Sequence, residues 1–363
     1  MPDFLLYRDD IETVAPDEHE THAKIIEVMT DGQNLTRGKY GKSVRISHAK
    51  AHGVLRGELT VLAGLPEELA QGLFAKPGTH PVIVRLAQAP GEFTDDSKVS
   101  TQRGMAIKIF EVEGPKLAPF EGITTQDFVL DNGKEFITGG AKAFLQAFKP
   151  NAEIAPKLSD DVKGAVSTLA RGTNAVLNAV GLNSDKLDFY GHQKKHPMAE
   201  AYYSQTAFRY GAYIAKLGVV PVNPGLEELE TMEFDPQTPD ALREATVAWF
   251  KTHAAEFDVR VQINTGLEGM PIEDATIAWP EEESPYRTVA RLVLPVQSAF
   301  DPVQAGFVDE NLSFSPAHTL VAHRPLGSIN RARLAAYTAL STLRRTENGR
   351  ANVEPTEVTE IPG

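Results

Sequence analysis

The chain of 363 residues contains no cysteine. That absence excludes disulfides, thiolate-held zinc, iron–sulfur clusters and cysteine nucleophiles, and it says little about compartment. Long hydrophobic runs are missing too. No stretch approaches the roughly 18 apolar residues that span a membrane. The opening MPDFLLYRDDIETVAPDEHE has only a short apolar run followed by acids, which is no signal peptide. A soluble, cytoplasmic protein without a membrane partner is therefore expected. Positive charge is also scarce. There are 36 Lys and Arg against 49 Asp and Glu, giving a net charge of −13, and this disfavours nucleic acid as the main partner, because phosphate binding wants a basic face. Neither Gly-x-Ser-x-Gly nor His-Glu-x-x-His occurs, so serine hydrolase and zinc protease have no support. The glycine-rich ITGGAKAF lacks the Lys-Ser/Thr continuation of a phosphate loop.

What is present is a chain of 42% hydrophobic residues, ample for a sizeable core. Residues 1–43 read as an N-terminal arm with one helical run, HAKIIEVMTDGQNL; 44–345 read as one domain, and 346–363 as an extended tail. From Val44 to Phe110 strands dominate, in VRISHAKAHGVLRGELTV, PVIVRLAQA and GMAIKIFEV, each rich in β-branched residues and bounded by Gly, Pro or Asp. QDFVL follows at Gln126–Leu130. Lys142 to Leu182 reads as helical from its 3.6-residue spacing. Strand signals return in YYSQTAFRYGAYIAKLGVVPV, VAWFKTHAAEFDVRVQINT and YRTVARLVLPVQ, where VAWFKTHA is equally readable as a short helix. The pattern is irregular after Asp301 and helical from about Ser328 to Arg345. The expectation is an α+β fold: a closed or nearly closed antiparallel sheet with a helical insertion and C-terminal helices.

The candidate chemistry lies in three places. In the C-terminal helix SINRARLAAYTALSTLRR, Arg333 and Tyr337 share a face, with Arg344 two turns beyond Tyr337. A nearby cation favours phenolate, a hard anionic ligand for ferric iron, and tyrosine is a known proximal haem ligand; the plain alternative is a tyrosine that fills the core beside a snorkelling arginine. In Arg45–Ile46–Ser47–His48, read as a strand, alternation puts Ile46 and His48 on one face and Arg45 and Ser47 on the other. On a barrel's inner wall His48 can act as general base toward a peroxide; otherwise it is a hydrogen-bonded structural histidine. A metal pair of His48 and His52 is disfavoured, since four residues of strand span about 13 Å. Arg85 sits inside the apolar strand PVIVRLAQAP and needs an anion, either an internal carboxylate or one on a ligand.

These pieces together resemble the haem catalase family, in particular its short, catalase-related peroxidase branch, from about Arg45 to Arg344. The likeness is carried by RISHAKAHGVLRGEL, PVIVRLAQAPGEFTDDSKVSTQRGMAIKIF, TTQDFVLDNGKEF and RARLAAYTALSTLRR. Arg45 with His48–Ala49–Lys50 matches the family's Arg-x-x-His-Ala-Lys, and Arg333 with Tyr337 its Arg-x-x-x-Tyr. The resemblance implies a catalase β-barrel holding haem b. It makes His48 the distal acid–base and Tyr337 the proximal iron ligand, stabilised by Arg333. Arg45, Arg85 and Arg344 face the propionates, and Phe136 lies against the distal face. The second distal group of the family, an asparagine just before the strand, is absent; the segment reads GITTQ, with Thr124 or Thr125 nearest. The hydroxyl residues that usually follow the strand arginine are replaced by Ala87 and Gln88. These departures point to a peroxidase with weak catalase activity, using hydrogen peroxide or organic hydroperoxides and a small organic donor. A hydroperoxide-rearranging enzyme or a non-catalytic haem scaffold are the other readings. The resemblance allows a homo-oligomer, which no residue of the chain specifies.

Overall fold

The computed structural model describes residues 3–154, 157–179, 191–223, 225–232 and 234–363. Its frame is a sheet of β1 (Ala51–Val61), β2 (Gly78–Gln88), β3 (Arg103–Ile109), β4 (Gln126–Asp131), β5 (Tyr202–Tyr203), β6 (Phe208–Tyr210), β7 (Tyr213–Pro221), β8 (Ala255–Ile263) and β9 (Arg287–Leu294). The strands run antiparallel in the order β5-β4-β3-β2-β1-β9-β8-β7-β6, and β5 also pairs with β7, Tyr202 opposite Val219. That second pairing closes an eight-stranded barrel, with β6 as a short extra strand on β7. Closure leaves no long sheet edge exposed.

Alternation along β2, β3 and β4 sets what faces each way. Val82, Val84 and Leu86, with Met105, Ile107, Ile109, Phe128 and Leu130, fill the interior in one core with Leu55 and Leu59. Their neighbours point outward, and the register aligns them in rows. Arg85 lies opposite Ala106 and Ala106 opposite Val129; Ala87 lies opposite Gly104 and Gly104 opposite Asp131. Small residues in the middle of both rows leave a shallow floor on the outside of the barrel.

Over this floor lie helices. In chain order they are α1 (Glu18–Tyr40), α2 (Ala141–Ile154), α3 (Asp160–Ala179), α4 (Leu226–Thr231), α5 (Ala241–Phe250), α6 (Pro302–Asn311) and α7 (Ser328–Glu347). Ile25 of α1, Ala141 of α2 and Ala332 of α7 meet in a small apolar cluster with Met29, Phe144 and Leu145. The three helices thus share one seam beside the barrel wall. The expected helix over 142–182 is α2 followed by α3; its residues 155–156 and 180–182 lie outside the described residues. VAWF resolves as the end of α5. Among the described residues no helix is long and apolar enough to cross a membrane.

Two expectations are corrected. Val44–Lys50 is not strand: β1 begins at Ala51, and His48 has a left-handed φ of +55°. Face alternation therefore does not separate Arg45 from His48. The stretch after Asp301 is not irregular either, since α6 starts there. The Asp301 side chain accepts hydrogen bonds from the Val303 and Gln304 N–H groups and Pro302 opens the helix, a start signal present in the sequence as Asp-Pro.

The outer face of β3 and β4 also carries a fully buried pair. The Lys108 ammonium lies 2.8 Å from both carboxylate oxygens of Asp127, which also accepts from the Ser315 N–H at 2.9 Å. This ties the segment before α7 to the barrel. Lys108→Met is expected to cost about 3–5 kcal/mol, because it strands a buried carboxylate. Urea unfolding measures it; a loss no larger than the ~0.5 kcal/mol of an ordinary surface change would show that His318, 3.0 Å from the same carboxylate, suffices alone.

Candidate functional site

Between the barrel floor and the seam of α1, α2 and α7 lies a cavity of about 900 Å³. Arg45, His48, Arg85, Phe136, Arg333, Tyr337 and Arg344 all line it. Seven residues spread over some three hundred positions are thus brought to one chamber. It lies outside the barrel, whose interior is packed with side chains, so His48 is on the outer wall and not the inner one.

His48 is held by its backbone. Its N–H donates to the Ala89 carbonyl at 2.9 Å, and its own carbonyl accepts from the Arg85 guanidinium at 2.8 Å. These bonds hold a backbone conformation that is unfavourable for a non-glycine residue. The imidazole then passes over Gly104, where a Cβ would stand 2.6 Å from Cε1 and 2.7 Å from Nδ1. Only glycine at that position admits the ring. Across from it stands Asp131, with Oδ1 3.4 Å from Nε2. Burial pushes the His48 pKa down and Arg85 and Arg333 add to the fall, while Asp131 pulls the other way. The ring is neutral at pH 7 and free to accept a proton.

The arginines share too little negative charge. Asp309, on α6, accepts from Arg45 at 2.6 Å and from Arg85 Nε at 2.9 Å, through the same oxygen. Arg45 also donates to the Val308 and Leu312 carbonyls, and Arg344 to Leu312 alone at 2.9 Å. Arg344 Nε is buried without a partner. Burial and the neighbouring Arg345 push the Arg344 pKa down to about 10, and burial with Arg344 and Arg85 pushes Arg45 well down. Both internal carboxylate and surplus cation are therefore present: Asp309 faces Arg45, Arg85 and Arg344, while Glu354, which also acts on Arg344, is itself paired with Arg345. The end of the cavity they form attracts anions.

Further along the lining α7 presents Arg333 and Tyr337 one turn apart. The Arg333 guanidinium lies 5.5 Å from the centre of the Tyr337 ring and donates to the Val129 carbonyl on β4 at 3.2 Å. Helix α7 is thereby fastened to the barrel beside the floor. The remaining wall is aromatic: Phe136 packs on Phe144 of α2 with ring centres 5.9 Å apart, and Phe144 on Phe148 at 5.1 Å.

Thr124 does not join the others. It precedes the end of β4 far from Asp131, is exposed, and donates to the Thr356 carbonyl at 3.2 Å. The expectation that it faces His48 is corrected by this placement, and Thr125 is likewise absent from the lining. His52 is buried away from the chamber with both ring nitrogens unpartnered. Among the described residues no three His, Asp or Glu side chains form a metal-holding group. Asp131, Gly104 and Asp309 were missed. Asp131–Asn132–Gly133 reads as a turn signal, and α6 went unrecognised with Asp309 on it.

An eight-stranded barrel with a chamber on its outer face beneath helices is a catalase-like fold. The solved structure of a fungal catalase is 17% identical, with a TM-score of 0.61, and covers 95% of this chain and 66% of its own. Catalase A from Saccharomyces cerevisiae is 17% identical with a TM-score of 0.59, over 94% of this chain and 67% of that one. A bacterial catalase is 16% identical with a TM-score of 0.57. The chain thus spans about two-thirds of the length of these catalases. No protein-family model and no curated protein sequence matches it.

Asp309→Asn keeps a hydrogen-bond acceptor but removes the charge shared by Arg45 and Arg85. A loss on the order of 2–3 kcal/mol is expected at pH 7. The Asp309 pKa is lowered, its arginine neighbours outweighing burial. Its contribution is therefore complete above the unfolded value near pH 4 and disappears as pH falls through the native one. Urea unfolding from pH 7 to pH 3 should show the two proteins converging at the acid end; parallel curves would remove Asp309 as the source.

Proposed function

We propose that the protein is a haem-dependent peroxidase, acting on hydrogen peroxide or an organic hydroperoxide, with weak catalase activity. One observation carries the reading: a tyrosine backed by an arginine and a buried histidine face one chamber whose end holds a surplus of cations. The residues fit haem b. The chamber is large enough for a cofactor, Tyr337 offers a phenolic oxygen, and Arg45, Arg85 and Arg344 offer more positive charge than Asp309 neutralises. The unpartnered Arg344 Nε is an open donor for a carboxylate.

In this reading Tyr337 would hold the iron, with the Arg333 guanidinium beside its ring. Arg45, Arg85 and Arg344 would hold the propionates, and Phe136 would pack against the ring. When bound, the group supplies an iron centre able to exchange two electrons with a peroxide, and a small organic donor is the source of the returning electrons. The chain's own contribution is proton handling. His48, neutral and fixed by its backbone, accepts the peroxide proton and returns it to the departing oxygen. The weak catalase activity follows from what stands beside it. A carboxylate such as Asp131 only accepts, so it cannot donate a hydrogen bond to bound peroxide as a carboxamide does.

Absorption spectra of haem-supplemented protein test the reading, and a missing Soret band would sink it. Tyr337→Phe should change the spectrum by removing the iron ligand; an unaltered spectrum would take Tyr337 out of that role. His48→Gln should leave haem bound and slow the reaction with peroxide by about 10²–10⁴-fold, followed by stopped-flow absorbance. Oxidation of an organic donor should exceed oxygen release from hydrogen peroxide. Vigorous oxygen release with little donor oxidation would contradict the peroxidase assignment.

A further inference from the structure

Asp131 is the residue of the chamber that the reading above leaves with only a negative part, as a group that cannot donate. Its position is nevertheless tightly specified. The register sets it opposite Gly104, and Gly104 is the glycine over which the His48 ring passes. A Cβ at Gly104 would stand 3.0 Å from Asp131 Oδ1 as well as 2.7 Å from His48 Nδ1. One absent side chain thus makes room for both groups at once. Asp131 Oδ1 is buried, has no hydrogen-bond donor, and lies 3.4 Å from His48 Nε2. In a neutral imidazole whose Nε2 carries no hydrogen, both atoms are acceptors. Two lone pairs facing each other at that distance call for a proton between them, supplied either by the ring or by a bound donor.

We propose that Asp131 is the positioning residue of His48. Its carboxylate steers the imidazole through Nε2 and neutralises the imidazolium formed when His48 takes a proton from an O–H donor bound in the chamber. The proton moves from the donor oxygen to Nε2, leaving an oxyanion, and the cation so formed is paired with Asp131. No other bond changes in this step. The other charged groups facing His48 are Arg85 from β2 and Arg333 from α7, and both disfavour its protonated form. Asp131, from β4, is the charged counterweight, and the Gln88 backbone adds a smaller push the same way. Without it two arginines and burial all oppose the proton that the ring must carry.

The involvement of a peroxide rests on the haem reading, but the pairing of His48 with Asp131 does not, so the test uses haem-free protein. The full chain is labelled with 15N and 13C, and His48 is assigned among the ten histidines by the signal lost in His48→Gln. The ring is then titrated by NMR in the wild type and in Asp131→Asn, which keeps the shape and removes the charge. The His48 midpoint should fall by about one to three pH units in the variant. An unchanged midpoint in folded Asp131→Asn overturns the proposal. Should that variant not fold, the wild type decides: the Asp131 carboxyl 13C should move at the His48 midpoint, and a carboxyl signal indifferent to it overturns the pairing. A missing Soret band would sink the haem reading without touching this result, and an uncoupled pair would leave haem binding intact.

Discussion

The chamber depends on one buried guanidinium. Arg85 projects from the outer face of β2 and each of its three nitrogens makes a structural bond, Nε to Asp309 and the two terminal nitrogens to the carbonyls of His48 and Ala49, with a second N–H remaining on each terminal nitrogen. Through those bonds it joins the barrel, helix α6 and the irregular segment that leads into β1. A buried arginine needs several acceptors arranged around its plane, so satisfying it dictates where its neighbours go. The left-handed turn at His48 is one consequence. Held from both sides, by Ala89 on its N–H and Arg85 on its carbonyl, His48 has no freedom to relax into a strand.

The barrel serves this arrangement as a rigid wall. Its interior is filled by a core of apolar side chains. Binding is displaced to the outer surface, where Ala87, Gly104 and Ala106 keep the floor low and the helices α1, α2 and α7 form the roof. The charged groups are segregated by element. Cations gather where β2, α6 and α7 converge, and the His48–Asp131 pair stands over the Gly104 row. A ligand with anionic groups at one edge and a flat apolar body suits that division.

Much of this could be read along the chain. The alternation in PVIVRLAQ and GMAIKIF announced strands, and an arginine in such a strand announced an anion. The spacing of Arg333 and Tyr337 placed both on one helical face, as they are. Local rules failed where long-range bonds override them. The segment RISH reads as a strand because its residues favour one, yet the His48 carbonyl is claimed by Arg85 of β2 and its N–H by Ala89 in the loop after it. Thr124 stands nearest the place where the resemblance puts a distal asparagine, and order along the chain does not say at which end of a strand a side chain stands.

The sequence by itself determined the class of fold, the helical face of Arg333 and Tyr337, and the need of Arg85 for negative charge. These follow from periodicity and from the cost of burying charge, which act over a few residues. Only the tertiary structure decided that the chamber lies outside the barrel, that Asp309 is the shared counter-ion, and that Asp131 faces His48. Those facts depend on strand register, where a shift of one residue would turn Asp131 and Gly104 to the other face. No local pattern encodes which rows align.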